Sequence, residues 1–280
     1  MAPVRIITDS ASDLPRSEAE RLGIDVVSLT IRFGSEEFLD RNLTPEEFWS
    51  KCAQSPTLPE TSAPSPGAFQ EAFERAIADG CDGVVVVCLT SLLSATFSSA
   101  TLAAEAVRDR IAISIIDTRA VTMSEGLLCI ELAEMAQAGK SMDEIVARGN
   151  ELVPELGVIA TIDTLEHLIK GGRLGGAKAF LGQILSIKPI VALREGVVAE
   201  AGKARTRSKA LATLAQVARD AGPLRRISVI HSQCADTQTL IDLVSDIPTK
   251  FPLVVADMGS TVGTHGGPGI IGVAWIRDTN

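Results

Sequence analysis

Short apolar runs alternate along the chain with longer stretches whose apolar positions recur every three to four residues. Residues 4–8 read as a strand closed by Asp9 and Ser10, and residues 15–22 as a helix. Residues 25–33 read as extended. A helix over 45–52 has Thr44 as its N-cap, and residues 55–66, crowded with Pro, Ser and Thr, read as loop. Residues 67–78 are helical. The run GVVVVCL, residues 83–89, has no polar position and predicts a strand covered on both faces. A helix over 94–108, a buried strand over 111–116 and helices over 123–138 and from about Ser141 follow. This order predicts a mainly parallel sheet flanked by helices.

The pattern changes near Pro154. Strand-like runs at 157–162, 189–193, 227–231, 253–257 and 271–276 alternate with helix-like segments at 208–221 and 236–245. A Gly-rich segment, 170–176, leads into an apolar helix. The chain of 280 residues exceeds what one core usually needs. We therefore expect an α/β fold in two lobes, 1–155 and 156–280. The first is built on the mainly parallel sheet and the second is another α/β lobe, with a crevice between them.

Composition sharpens this picture. Hydrophobic residues make up 46% of the chain but aromatic ones only 4%, with no Tyr, so the interior is aliphatic and suits an aliphatic ligand. A net charge of −9 argues against a broad nucleic-acid surface or a polybasic membrane patch. No apolar run approaches a membrane span, and residues 1–10 lack a secretory signal pattern, so a cytoplasmic location is expected. The five Cys are scattered and read as reduced thiols. The three His are far apart, and no metal or other cofactor is expected.

Five polar segments punctuate the elements. TDSASDLP, residues 8–15, follows the first strand, where α/β sheets place ligand crevices; it also reads as a turn and helix cap through Asp13 or Ser12. TSAPSPG, residues 61–67, is a stiffened loop whose hydroxyls suit an oxygen-rich ligand, or whose Ser65 caps the next helix. TSLLSAT, residues 90–96, puts hydroxyls at a strand end and a helix start, fit for an anion or for capping by Ser91 or Ser94. KGGRLGG, residues 170–176, and KARTR, residues 203–207, are tight basic clusters in an acidic chain. GTHGGPG, residues 263–269, sets His265 among four Gly and reads as a loop too Gly-rich for the core.

Taken together and in order, these segments resemble the DegV family, bacterial fatty-acid-binding proteins often called FakB. IDTRAVTMSEGLL, TLEHLIKGGRLGGAKAFLG and IKPIVAL extend the resemblance over essentially the whole chain. It implies a long-chain fatty acid held in a tunnel between and within two lobes. The carrier, not itself an enzyme, would present the carboxylate to an ATP-dependent, dihydroxyacetone-kinase-like fatty acid kinase that forms an acyl phosphate for phospholipid metabolism. Transient contact with a membrane surface fits that role. The resemblance implies that Thr61, Ser91 and His265 bind the carboxylate, with Ser62 and Ser94 as neighbours. It implies that Arg173 and Arg205, backed by Arg207 and Lys170, serve the kinase or the transferred phosphate. Ala95 and Leu92 replace residues that are usually Gly in the family, and Ala63 replaces a longer one, which reshapes the pocket mouth.

Two other readings use the same residues. One is an autonomous hydrolase with Ser91 or Ser94 and His265, although no nucleophile elbow or orienting Asp is evident. The other is a nucleotide or sugar-phosphate module. GPGIIG, residues 267–272, fits a dinucleotide fingerprint by letter, but it leads into a strand-like run instead of a helix.

Overall fold

The computed structural model describes residues 4–174 and 187–279. The apolar helix expected after Gly176 lies outside the described residues, as do Gly175 and Gly176 themselves. The chain runs β1 (Val4–Asp9), α1 (Arg16–Leu22), β2 (Asp25–Val27), β3 (Thr30–Phe33), β4 (Glu36–Leu39), α2 (Pro45–Gln54), β5 (Glu60–Ser62), α3 (Pro66–Ala78), β6 (Gly83–Cys88), α4 (Thr96–Val107), β7 (Ala112–Asp117), α5 (Met123–Gln137) and α6 (Met142–Leu152). It continues with β8 (Leu156–Thr161), α7 (Glu166–Lys170), β9 (Lys188–Arg194), β10 (Val197–Ala204), α8 (Arg207–Asp220), β11 (Leu224–His231), α9 (Thr237–Val244), β12 (Val254–Asp257), α10 (Ser260–Gly266) and β13 (Ile271–Arg277).

The N-terminal sheet is parallel, in the order β2-β1-β6-β7. All six residues of β6 are buried because helices cover both faces. Val84 and Val86 pack with Phe69 and Ala100 of α3 and α4, while Val85 and Val87 pack towards Leu127 and Leu128 of α5. The C-terminal sheet has the order β10-β9-β8-β13-β11-β12 and is antiparallel except for β11–β12. Its two faces follow the two-residue period of a strand. Ile159, Ile190, Val229 and Val273 pack with α8 and α9. Val158, Ala160, Val191, Val198 and Ile230 turn the other way, towards the N-terminal lobe.

Helix α5 joins the lobes. Every residue from Met123 to Ala133 is buried, so the helix is covered on all sides, between β1 and β6 on one hand and β11 and β13 on the other. Its buried Glu131 takes hydrogen bonds from Arg225 Nε and Arg226 Nε of β11, both at 2.8 Å.

Several expectations change. The extended run 25–33 divides between β2 and β3, which belong to different sheets. Residues 55–66 are not wholly loop. β5 forms there because Arg32, Ile31 and Thr30 of β3 offer it an edge, in a small sheet ordered β4-β3-β5. The segment 263–269 is not simply a loop outside the core, because Gly263, Thr264 and Gly266 are buried in α10. A glycine at 263 permits this, since a Cβ there would stand 3.1 Å from the Phe48 ring. The caps at Thr44 and Ser65 form as expected, accepting from the Glu47 and Ala68 N–H groups at 3.2 Å each.

Candidate functional site

Between the C-terminal sheet and the segments that follow the strands of the N-terminal sheet lies a cavity of about 240 Å³. Its walls are aliphatic: Val158, Val191 and Val198 from the C-terminal sheet face Ala11, Leu29 and Leu89 from the N-terminal lobe. An apolar cavity of this size favours an apolar occupant over water, which would find too few hydrogen-bond partners. At one end stand Thr61, Ser94, Arg173 and His265, and Ala63 and Ala95 also border the cavity. A second, polar hollow of about 720 Å³ lies outside. Thr61, Arg173 and His265 border both spaces.

The polar end is assembled from four distant segments. Thr61 sits on β5 opposite Ile31. Strand alternation sends its neighbour Ser62 to the exposed side, away from the cavity. Thr61 Oγ1 lies 2.8 Å from His265 Nε2. His265 Nδ1 is buried with no hydrogen-bond partner among the described residues. It rests against Gly171, where a Cβ would come within 2.3 Å of it. Burial, then the charge of Arg173 and then His167, pushes the His265 pKa down to about 4, so the ring is neutral near pH 7. With the Arg173 charge nearby, a lone pair is a better state for the buried, partnerless Nδ1 than an unpaired N–H. The network therefore assigns the proton to Nε2, which donates to Thr61. The Thr61 hydroxyl proton is then directed to another acceptor.

Arg173 is held at the same end, its Nε donating to the Leu93 carbonyl at 3.3 Å and its Nη1 to the Gly171 carbonyl at 2.6 Å. It borders the cavity itself, although the expectation for it concerned only the kinase or phosphate. Ser94 Oγ lies 2.8 Å from Thr96 Oγ1 and accepts from the Thr96 N–H at 3.3 Å, at the start of α4. Ser91 does not border the cavity. Its hydroxyl and amide both turn to Asp117, at 2.5 and 3.1 Å, which ties the 90–93 loop to the end of β7. Neither serine hydrogen-bonds His265.

The remaining basic residues divide. Lys170 borders the outer hollow and pairs with Glu166 at 2.6 Å. Arg205 is exposed between β10 and α8 and borders neither space. Arg207 grips Asp236 through Nε and Nη2 at 2.8 and 3.2 Å, and donates to the Gly269 carbonyl at 2.6 Å. That set of bonds braces the loop after α10. Two residues lie in segments that the sequence singled out but were not themselves candidates for the site. Gly171 acts by lacking a side chain, and His167 Nδ1 holds the Thr264 carbonyl at 3.0 Å, docking α7 on α10. Among the described residues no group of three or more His, Cys, Asp or Glu is placed to hold a metal ion, and no helix is long and apolar enough to cross a membrane.

An aliphatic chamber ended by two hydroxyls, a neutral imidazole and one guanidinium matches an amphiphile with an anionic oxygen head. The DegV family profile matches residues 3–278. The chain belongs to the DegV family. A DegV domain-containing protein of Clostridium acetobutylicum is 34% identical over 99% of this chain and 100% of its own. One from Streptomyces coelicolor is 33% identical over 96% and 97%. The solved structure of a DegV family protein from Thermus thermophilus, described for fatty acid binding, superimposes with a TM-score of 0.91 at 32% identity, over 99% of this chain and 100% of that one. The DegV fatty acid binding protein of Bacillus subtilis gives a TM-score of 0.88 at 28% identity, over 99% and 100%. The two-lobed α/β architecture is thus that of DegV proteins.

Proposed function

We propose that this chain carries a long-chain fatty acid, with the alkyl tail in the aliphatic chamber and the carboxylate against Thr61, His265, Ser94 and Arg173. The observation that carries the reading is that Thr61, Arg173 and His265 border both the apolar chamber and the polar hollow outside it. A head group held there is bonded from one side and reachable from the other. Ser91 and Ser62 rank behind the other hydroxyls, since one is engaged by Asp117 and the other is exposed. The fatty acid binding described for the Thermus thermophilus and Bacillus subtilis relatives supports the same ligand class.

Burying a methylene is worth about 0.8 kcal/mol, so a tail of about fourteen methylenes contributes at most ~11 kcal/mol before the costs of association. Such a ligand needs no covalent attachment.

The second half of the proposal is presentation. A partner kinase brings ATP to the outer hollow. A carboxylate oxygen attacks the γ-phosphorus, the bond to ADP breaks, and an acyl phosphate remains on the carrier for use in phospholipid synthesis. Arg173 borders the chamber at the end proposed for the head group, and Lys170 and Arg205 suit the docking face. Arg207, already paired with Asp236, suits it less. This chain contributes no catalytic residue in this scheme. We place the carrier in the cytoplasm, in transient contact with membranes when lipid is exchanged, and its five free cysteines suit a reducing compartment. The lobe boundary we propose, 155/156, falls where the turn Val153–Glu155 gives way to β8.

Titration with oleate carrying 13C at its carboxyl tests the reading. The expected result is one bound resonance, distinct from free and micellar oleate, that saturates at one equivalent and moves in Thr61→Val. Free oleate alone, at every ratio, would sink the proposal.

A further inference from the structure

Helix α10 carries His265, yet its own N-cap, Gly259, provides no side-chain hydrogen bond. The first N–H groups of a helix need acceptors when they are buried. Here they are taken by the other lobe. Asp13 Oδ1 accepts from the Gly259 N–H at 2.9 Å. Asp40 Oδ1 accepts from the Thr261 N–H at 3.2 Å, and its Oδ2 accepts from the Thr261 hydroxyl at 2.7 Å. The Ser260 N–H also bonds Asp40.

Both carboxylates are buried, at 7% and 4% exposure, and both are fixed on their own side. Asp13 is not the cap of α1 that its position suggests, because α1 begins after Pro15 with no side-chain cap. Its other oxygen instead accepts from the Thr122 hydroxyl, while the Asp40 backbone N–H is bonded to the Leu29 carbonyl at 2.9 Å. Gly259 makes room for the pair: a Cβ there would lie 2.9 Å from Asp13 Oδ1 and 3.6 Å from both Asp40 oxygens. Its φ of −67° is ordinary, so the requirement is one of space. The far end of α10 is held separately, by His167 on the Thr264 carbonyl.

We propose that Asp13 and Asp40 are positioning residues that cap α10 from the opposite lobe and so set His265 at the distance from Thr61 that the fatty-acid carboxylate requires. The proposal rests on the fatty-acid reading and explains why a helix of seven residues, with Val262 as its one aliphatic side chain, presents an imidazole in one orientation. It also gives Asp13, in the segment 8–15, a role apart from the ligand: with Asp40 it holds the two lobes in register at the site.

Two measurements on the full chain test it together: oleate affinity, and the imidazole 15N–1H spectrum, in which only three histidines contribute and His265→Gln identifies the relevant signal. Asp40→Ala is expected to weaken oleate binding about tenfold and to move the His265 signal towards that of a solvent-exposed ring. Asp40→Asn, which keeps one acceptor for Thr261, should stay within about threefold of wild type. Gly259→Ala crowds the Asp13 carboxylate without changing charge and should shift the same signal, so the test survives if Asp40→Ala does not fold. Glu131→Gln, far from α10, should lower stability and leave the His265 signal in place. Oleate affinity within twofold and an unmoved His265 signal in folded Asp40→Ala, or an unmoved signal in Gly259→Ala, would overturn the assignment. If wild type binds no oleate, the fatty-acid reading falls, whereas the His265 signal still decides whether the two carboxylates position the ring.

Discussion

His265 Nε2 and Thr61 Oγ1 lie 2.8 Å apart although 204 residues separate them in the chain. The bond closes the space between β5 and α10 and, with Nε2 as donor, leaves the threonine proton available to a further oxygen. Thr61→Val keeps the shape and removes the hydroxyl. We expect it to weaken oleate binding about tenfold, because a hydrogen bond to a charged group contributes about 1.5–3 kcal/mol. His265→Ala should have a comparable effect, with folding little changed. The double variant should weaken binding less than the product of the two single effects, because both act through one network. Isothermal titration decides this, and independent, multiplying effects would show that the two residues do not act as a unit.

Gly171 offers a steric test. A methyl group there would come within 2.3 Å of His265 Nδ1 and 2.9 Å of the His167 carbonyl oxygen. Gly171→Ala must displace the imidazole, since the backbone has less room to move. The expected outcome is a clear loss of oleate affinity, on the order of tenfold, with an unchanged far-ultraviolet circular dichroism spectrum. Undiminished affinity would mean that the ring is not held against this glycine.

Asp9 is fully buried, and its two oxygens accept from the Ala11 and Leu89 N–H groups at 2.9 Å each. Burial outweighs those bonds and pushes its pKa up to about 7. The neighbouring Glu125 is also raised, chiefly by burial. A folded state that keeps a proton the unfolded chain gives up loses stability as pH rises, here from about 4 to about 7, by about 1 kcal/mol per pH unit. His265 acts in the opposite sense: its depressed pKa costs stability as pH falls from 6.5 towards 4. Asp9→Asn removes the Asp9 share of the first slope and leaves the second. Urea unfolding should therefore show the variant gaining on wild type between pH 5 and 7. A difference that does not depend on pH would contradict the assignment.

Glu131 ties α5 to β11. It is 4% exposed and lies 2.6 Å from Arg225 Nη2 and 2.8 Å from Arg226 Nε. Burial opposes its ionisation, but the bonds from both arginines outweigh burial and hold the carboxyl below its usual range. Glu131→Ala leaves Arg226 Nε, on a residue 4% exposed, without its acceptor and should cost about 3–5 kcal/mol in urea unfolding. Its contribution in the wild type should fade as pH falls below about 4. A loss under 1 kcal/mol would mean that the neighbouring Glu134, which also bonds Arg226, suffices alone.

The legible parts of the fold were those whose signal is local. The unbroken apolar run of β6 follows from helices on both faces, and the caps at Thr44 and Ser65 follow from backbone chemistry within three residues. β5 was hidden, because its Pro- and Ser-rich surroundings favour a loop and only the edge of β3 makes it a strand. The glycines of α10 concealed a helix whose N-terminus is satisfied from 221 and 246 residues away. At the site, hydroxyls and basic residues could be picked out as candidates, but their directions could not. Strand alternation separates Thr61 from Ser62, and Asp117 draws off Ser91. Gly171 stood out only as part of a Gly-rich basic segment, and its contact with His265 could not be read because its contribution is an absent side chain.

Organic extraction and mass spectrometry of the lipid that accompanies the purified protein tests the central claim most directly. One long-chain fatty acid per chain is the expected result, reduced in a variant such as Ala160→Phe, whose side chain points into the chamber. A protein that arrives empty and also fails to take up oleate or palmitate would contradict the account.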